Sequence, residues 1–180
     1  MAQCPTCADS TLVHAMLTDG LAGHRCGNCL GTLVSLVSYR AWREGPGRAR
    51  LPAMPDAVAD VAPPDSLAAK KCPKCRSVMS KYRVSAEKAN RLDYCPHCEE
   101  IWLDDGEWQL VEGLVNSGDF ARVFTQAWQF AVRSGIAGAM EDQRLRGLLG
   151  ADHARFVEFA RWLATRDDRQ EIVAQLARFK

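Results

Sequence analysis

CPHCEEIWLDDGEW, residues 95–108, decides how this chain is read. Two cysteines stand three positions apart, an aromatic-aliphatic pair follows, and then a cluster of acids. Two chemistries fit such a stretch: a cysteine nucleophile beside carboxylates, or a metal knuckle followed by a helix start. The other six cysteines choose between them. All eight fall in C-x-x-C pairs: Cys4 and Cys7, Cys26 and Cys29, Cys72 and Cys75, Cys95 and Cys98. Gaps of 18 and 19 residues separate the knuckles of each half, the spacing at which two knuckles close on one zinc ion.

Each knuckle presents two sulfurs to one side of an ion, and the intervening hairpin brings the second knuckle opposite. CPTC, CPKC and CPHC hold a proline that pre-sets one φ angle, whereas CGNC uses glycine. The expectation is two structural zinc ions, one on Cys4, Cys7, Cys26 and Cys29, the other on Cys72, Cys75, Cys95 and Cys98. Thiolates then fill both coordination spheres, which makes the sites closed rather than catalytic. Thioredoxin-like redox chemistry needs one C-x-x-C at a helix start within a βαβ pattern, and that pattern is missing. Interleaved pairing of the knuckles would close loops across the 42 residues between Cys29 and Cys72. Sequential pairing is simpler, and an internal repeat supports it. A shift of 68 residues lays Cys4 and Cys7 on Cys72 and Cys75, and a shift of 69 lays Cys26 and Cys29 on Cys95 and Cys98.

With these residues in view the chain resembles the TFIIB-type zinc ribbons, which read CPxC, a short hairpin, CxxCgGiWLDxGE and a helix. Cys95, Cys98, Trp102, Leu103, Asp104, Gly106 and Glu107 stand at the motif positions, while Glu100 replaces a glycine. The first copy, CGNCLGTLVSL, keeps Gly31 but has Leu33 and Ser35 where tryptophan and aspartate would stand. The resemblance covers about residues 1–44 and 70–115, and it implies a fold and a metal more than an activity. The expected fold is a small metal-stabilised α+β protein: two tandem Cys4 ribbons of short β-hairpins, a Pro-rich linker between them, and a helical bundle at the C-terminus.

Asp104, Asp105 and Glu107 precede Trp108, Val111, Leu114 and Val115 at helical spacing. Acids there are expected to cap a helix start and oppose its positive dipole end. Trp102 and Leu103 are expected to cover the metal from the adjacent strand. The opening stretch therefore reads as a metal knuckle and a helix cap.

The first ribbon is expected over residues 1–44, with a hairpin at Asp19-Gly20 and a strand and short helix in TLVSLVSYRAW. Residues 45–69 hold five of the eight prolines and read as a linker. The second ribbon spans 70–115. Residues 116–180 read as helices. Phe120, Val123, Phe124, Ala127, Trp128, Ala131 and Val132 form a stripe capped by Asp119, and Gly135 with Gly138 ends it. A short helix is expected around MEDQRLRGLLG. Another is capped by Asp152 and has Phe156, Phe159, Ala160 and Leu163 as its face. The last has Asp168 and Glu171 in capping-box register. Some 65 residues are near the lower limit for a self-sufficient core, so packing on the second ribbon, self-association or a partner is expected.

Charge separates within the second ribbon. Lys70, Lys71, Lys74, Arg76, Lys81, Arg83, Lys88 and Arg91 oppose Glu87 alone over residues 70–91, and residues 93–112 hold seven acids and no base. With Tyr82 for stacking, the basic residues are candidate phosphate contacts. The favoured reading is mutual neutralisation across the hairpin, because nucleic-acid modules rarely keep so many acids close. His14, His24, His97 and His153 receive no role.

The net charge of +1, with 47% hydrophobic and 25% charged residues, fits an ordinary soluble protein. MAQCPTCADS has neither a charged nor an apolar leader region, and a cytoplasmic address without membrane attachment is expected. The implied function is that of a non-enzymatic zinc-binding adaptor or regulator acting through an unidentified protein partner. The alternative is a nucleic-acid-binding or transcription-associated ribbon protein using segment 70–91.

Overall fold

A computed structural model describes residues 2–7, 9–45, 66–117 and 120–178. The chain divides into two compact units, residues 1–135 and 136–180. Most of the expected linker, residues 46–65, lies outside the described residues, as does the expected cap Asp119.

Alternation of apolar and polar residues makes strands β1 (Leu12–Thr18), β2 (Leu21–Cys26) and β3 (Thr32–Ser35), followed by helix α1 (Leu36–Glu44). Gly20, at φ +78°, turns β1 into β2. Ser35 caps α1 by accepting the Ser38 N–H at 3.4 Å. The repeat gives β4 (Ser80–Arg83), β5 (Arg91–Cys95), β6 (Glu100–Leu103) and helix α2 (Glu107–Ser117).

The two ribbons are not separate beads. Strand β3 pairs antiparallel with β6, producing one six-stranded sheet in the order β1-β2-β3-β6-β5-β4. Cross-ribbon bonds reinforce this seam: the Leu36 N–H donates to the Glu99 carbonyl at 2.8 Å, and Arg40 meets the Glu99 carboxylate at 3.0 Å.

All four β6 residues are buried, because both faces of the sheet are covered. One face sends Val34, Leu92, Tyr94, Ile101 and Leu103 against Leu36, Tyr39 and Trp42 of α1 and Val111 and Val115 of α2. The opposite face holds both cysteine groups with Leu12, Leu33, Met79 and Trp102. Leu103 therefore does not cover the metal with Trp102, as expected. Consecutive strand residues point to opposite faces, and Leu103 belongs to the helix side.

The stripe expected after residue 119 is split. Phe120–Phe124 form a 3-10 turn, and helix α3 (Gln126–Leu149) starts after it with the Thr125 hydroxyl accepting the Trp128 N–H at 3.2 Å. Phe120 and Val123 are buried, with Phe124 and Trp128 packed beside them. The Gln129 side chain exchanges two hydrogen bonds with Arg83, from its backbone N–H at 3.2 Å and to its carbonyl at 2.8 Å. It thereby covers part of the open edge of β4. Gly135 and Gly138 do not end the helix. The segment expected as a separate short helix is the second half of α3, since an internal glycine costs only about 1 kcal/mol. A Cβ on Gly135 would lie 3.0 Å from that of Ala86, so this glycine permits close packing.

In the unit 136–180, α4 (His153–Ala164) and α5 (Arg169–Leu176) follow α3. Neither expected side-chain cap forms. Asp168 is held instead by the Arg166 guanidinium at 2.8 Å, and Asp152 stands 3.6 Å from Arg155. No helix among the described residues is long and apolar enough to cross a membrane.

Candidate metal centres

The knuckles depend on a backbone reversal straight after the second cysteine. Leu30, Arg76 and Glu99 follow Cys29, Cys75 and Cys98, and all three are left-handed, with φ of +60°, +66° and +53°. A non-glycine residue pays about 1–2 kcal/mol there. The loops close through Leu30 N–H to Cys26 carbonyl at 3.1 Å and Arg76 N–H to Cys72 carbonyl at 2.9 Å.

This geometry gathers the cysteines into two groups, Cys4, Cys7, Cys26 and Cys29, and Cys72, Cys75, Cys95 and Cys98, whose sulfurs lie within 4.8 Å of one another. The sulfur separations Cys4–Cys29, Cys75–Cys95 and Cys7–Cys26 are 3.5, 3.6 and 4.0 Å. A zinc tetrathiolate with bonds of about 2.3 Å has edges of about 3.8 Å, so both groups fit the ion. The sulfurs also have donors: the Thr6 and Cys7 N–H groups point at Cys4 Sγ at 3.4 and 3.3 Å, and Asn28 Nδ2 at Cys7 Sγ at 3.3 Å. Burial pushes the Cys26 thiol up, but the Cys29 and Asn28 N–H groups outweigh it and leave it at about 6. Hydrogen bonds from the Ser77 hydroxyl and N–H hold Cys75 at about 6. Cys29 is pushed up by burial and Cys98 by its bond with Cys75, the latter to about 12. Four thiols so close cannot all ionise alone, and a bound cation removes the conflict.

Trp102 is fully buried between the groups, and its indole N–H donates to Asp104 Oδ1 at 2.8 Å. Lys70 Nζ lies 2.7 Å from Asp104 Oδ2 and 2.9 Å from Asp93 Oδ2, and Lys81 Nζ lies 2.9 Å from Asp93 Oδ1. Asp104 thus anchors Trp102 and Lys70 rather than capping α2 with its side chain. Capping falls to Glu107, whose Oε2 accepts the Asp104 N–H at 2.9 Å. Burial pushes the Glu107 carboxyl up to about 8.

Three candidate phosphate contacts are therefore engaged within the protein. Lys70 is only 3% exposed, Lys81 pairs with Asp93, and Lys74 pairs with the buried Glu100. Tyr82 packs edge-on against Tyr94 and Phe124. Lys71 and Arg76 are exposed, Arg83, Lys88 and Arg91 half-buried. These pairs are the mutual neutralisation expected between the basic and acidic runs. The depth of Lys70 was not expected: its partner Asp93 alternates with buried Leu92 and Tyr94, the one signal that an acid there points to a second covered face. His153, unassigned by sequence, is buried with Nε2 3.0 Å from Asp142 Oδ1.

No curated protein and no solved structure matches this chain. A family model described as the transcription factor zinc-finger, of TFIIB zinc-ribbon type, matches residues 71–110. That segment is similar to a TFIIB-type zinc ribbon, and the Cys4 group ahead of it suggests a second ribbon of the same kind.

Proposed function

We propose that this zinc protein is a non-enzymatic adaptor that engages a protein partner through residues 136–180. The supporting observation is the apolar surface of that unit. Phe156, Phe159, Trp162, Val173 and Leu176 are 38–51% exposed, and His153 is the only buried residue among those described there. An open groove of about 550 Å³, lined by Ala160, Leu163, Ala164, Arg169, Gln170 and Val173, runs between α4 and α5. A monomer rarely exposes apolar surface of this extent without a docking role. The zinc spheres, closed by four thiolates each, offer no open position to a substrate and supply folding energy to the sheet. The test is affinity capture with the full chain against Phe159→Glu and Trp162→Glu variants, with molar mass by light scattering. Loss of a specific captured protein in both variants supports the adaptor. Concentration-dependent dimers that both variants abolish would reassign the surface to self-association.

The family description favours a second reading, association with transcription through nucleic acid. Exposed Lys71 and Arg76 would carry it. Binding to DNA or RNA that falls steeply with salt and is lost in Lys71→Glu/Arg76→Glu would establish it.

A further inference from the structure

The ladders of the sheet align one residue from each strand into a single rung: His14, His24, Leu33, Trp102, Asp93 and Lys81. Directly paired residues share a face, and Leu33 and Trp102 place this rung on the metal side. The repeat relates its two ends. His24 stands where the second ribbon has Asp93, and His14 opposes it as Lys81 opposes Asp93.

The two ends are filled differently. In the second ribbon buried Lys70 closes the space between Asp93 and Asp104. In the first, Ala2 stands at the place of Lys70, and Leu33 at that of Trp102. A pocket of about 160 Å³ is left there, with His14, His24, Ser35, Ser38, Lys74 and Glu100 in its lining.

Both histidines are exposed, and their rings meet edge-on with centroids 6.1 Å apart. Two imidazoles sharing one tetrahedral ion at about 2.0–2.1 Å have ring centres about 5 Å apart, so a modest side-chain rotation brings both onto one ion. Glu100, in the same lining, is paired with Lys74 and stands three strands from His14, out of reach of an ion shared by the two histidines. The Leu12–Cys26 pair lies two residues along the same ladder, so the doubly negative zinc tetrathiolate of the first ribbon adds attraction for a cation.

We propose that His14 and His24 form an open two-histidine site for a divalent transition ion, distinct from the two closed thiolate centres. Imidazole nitrogen suits zinc, nickel or cobalt rather than magnesium or calcium. Water completes the coordination, so the ion exchanges where the thiolate-bound zincs do not.

The test uses full-length protein already holding two zinc ions, titrated with further Zn²⁺ by calorimetry at pH 7.5. The expected result is a third equivalent of micromolar affinity. His14→Ala and His24→Ala each weaken it at least about tenfold, the scale that loss of even an outer partner reaches, and Glu100→Gln leaves it unchanged. Elemental analysis after dialysis finds two zincs in every variant, and NMR shows the His14 and His24 imidazoles responding while His97 and His153 do not. If His24→Ala disturbs neighbouring Cys26, His14→Ala on the edge strand decides alone. No third equivalent in the native protein, or one that persists in His14→Ala, overturns the site.

Discussion

Leu33 and Trp102 face each other across the β3–β6 seam, and the 69-residue shift that relates the ribbons exchanges them. The seam is thus a local two-fold axis within one chain, with unlike residues on its two sides. The Trp102 ring lies over Gly31, where an added Cβ would come within 2.3 Å of a ring carbon. At the symmetric position the chain has Glu100, and the residue that would cross it is the smaller Leu33. The ribbon that lost its tryptophan kept its glycine, and the ribbon that kept its tryptophan lost its glycine. A glycine is needed only where the opposite ribbon lays an indole across it, which accounts for the departure at residue 100.

Gly31→Ala should destabilise the protein by about 1–3 kcal/mol, the cost of overpacking a site whose neighbour cannot move. Trp102 is fully buried and tied to Asp104, so the clash has no cheap relief. Urea unfolding in zinc-buffered solution gives the value. In the Trp102→Leu background the added methyl should cost far less, with a coupling of about 0.5–3 kcal/mol in the double-mutant cycle. Strict additivity would show that the ring does not set the size limit at residue 31.

Lys70→Met should cost about 1–3 kcal/mol, because it removes the buried cation between Asp93 and Asp104, leaving Asp93 with Lys81 alone and one oxygen of Asp104 unpaired. The neighbouring exposed Lys71→Met should stay within about 0.5 kcal/mol of the native protein. Equal stability of the two variants in denaturant titrations would mean that Lys70 is not the internal counter-charge described here.

Removal of one metal should be felt by both ribbons. Independent modules would leave Cys95→Ser with one tightly held zinc in an intact first ribbon. In the shared sheet, loss of β6 strips β3 of a partner strand and uncovers Leu33 and Val34. Structural zinc contributes roughly 10–16 kcal/mol in small domains, so that damage should lower retention of the first ion as well. Chelator challenge with a colorimetric zinc readout should release both ions from the native protein in one phase, and Cys95→Ser should hold less than one equivalent. Two resolved phases would show that the seam does not couple the sites.

The metal, its eight ligands, the hairpin turn at Gly20 and the helices after each ribbon were legible because each rests on local spacing or turn chemistry. The seam was not. β3 and β6 lie more than sixty residues apart, and nothing in TLVS or EIWL names its partner. Neutralisation of Lys70, Lys74 and Lys81 by Asp93, Asp104 and Glu100 was legible from charge balance, but the burial of Lys70 was not, because composition does not say which member of a charge run the sheet covers. The caps at Asp152 and Asp168 do not form because both backbones are close to helical, with ψ of −3° and 15°, rather than in the extended conformation from which a side chain caps. Gly135 was misread as a helix end because its close neighbour, Ala86, is remote in sequence.

Glu107 gives the last prediction. It is 1% exposed; one oxygen accepts the Asp104 N–H, and the other, Oε1, is buried without a hydrogen-bond partner among the described residues. Burial raises its carboxyl to about 8; the Asp104 and Asp93 carboxylates add to the rise, while the Asp104 N–H and Lys70 oppose it. The unfolded chain titrates this group at about 4.3. Between those values the folded state binds the extra proton, so unfolding free energy falls as pH rises. The contribution is complete below about pH 4 and is lost as pH climbs through 8, on the order of a few kcal/mol over the window. Glu107→Gln is neutral throughout and lacks that slope. Thiol and zinc effects are common to both proteins, so the difference between their stabilities isolates the carboxyl. Urea unfolding at saturating zinc from pH 5.5 to 8.5 should show the variant gaining on the native protein as pH rises. Parallel curves would mean that Glu107 ionises in the folded protein as readily as in the unfolded chain.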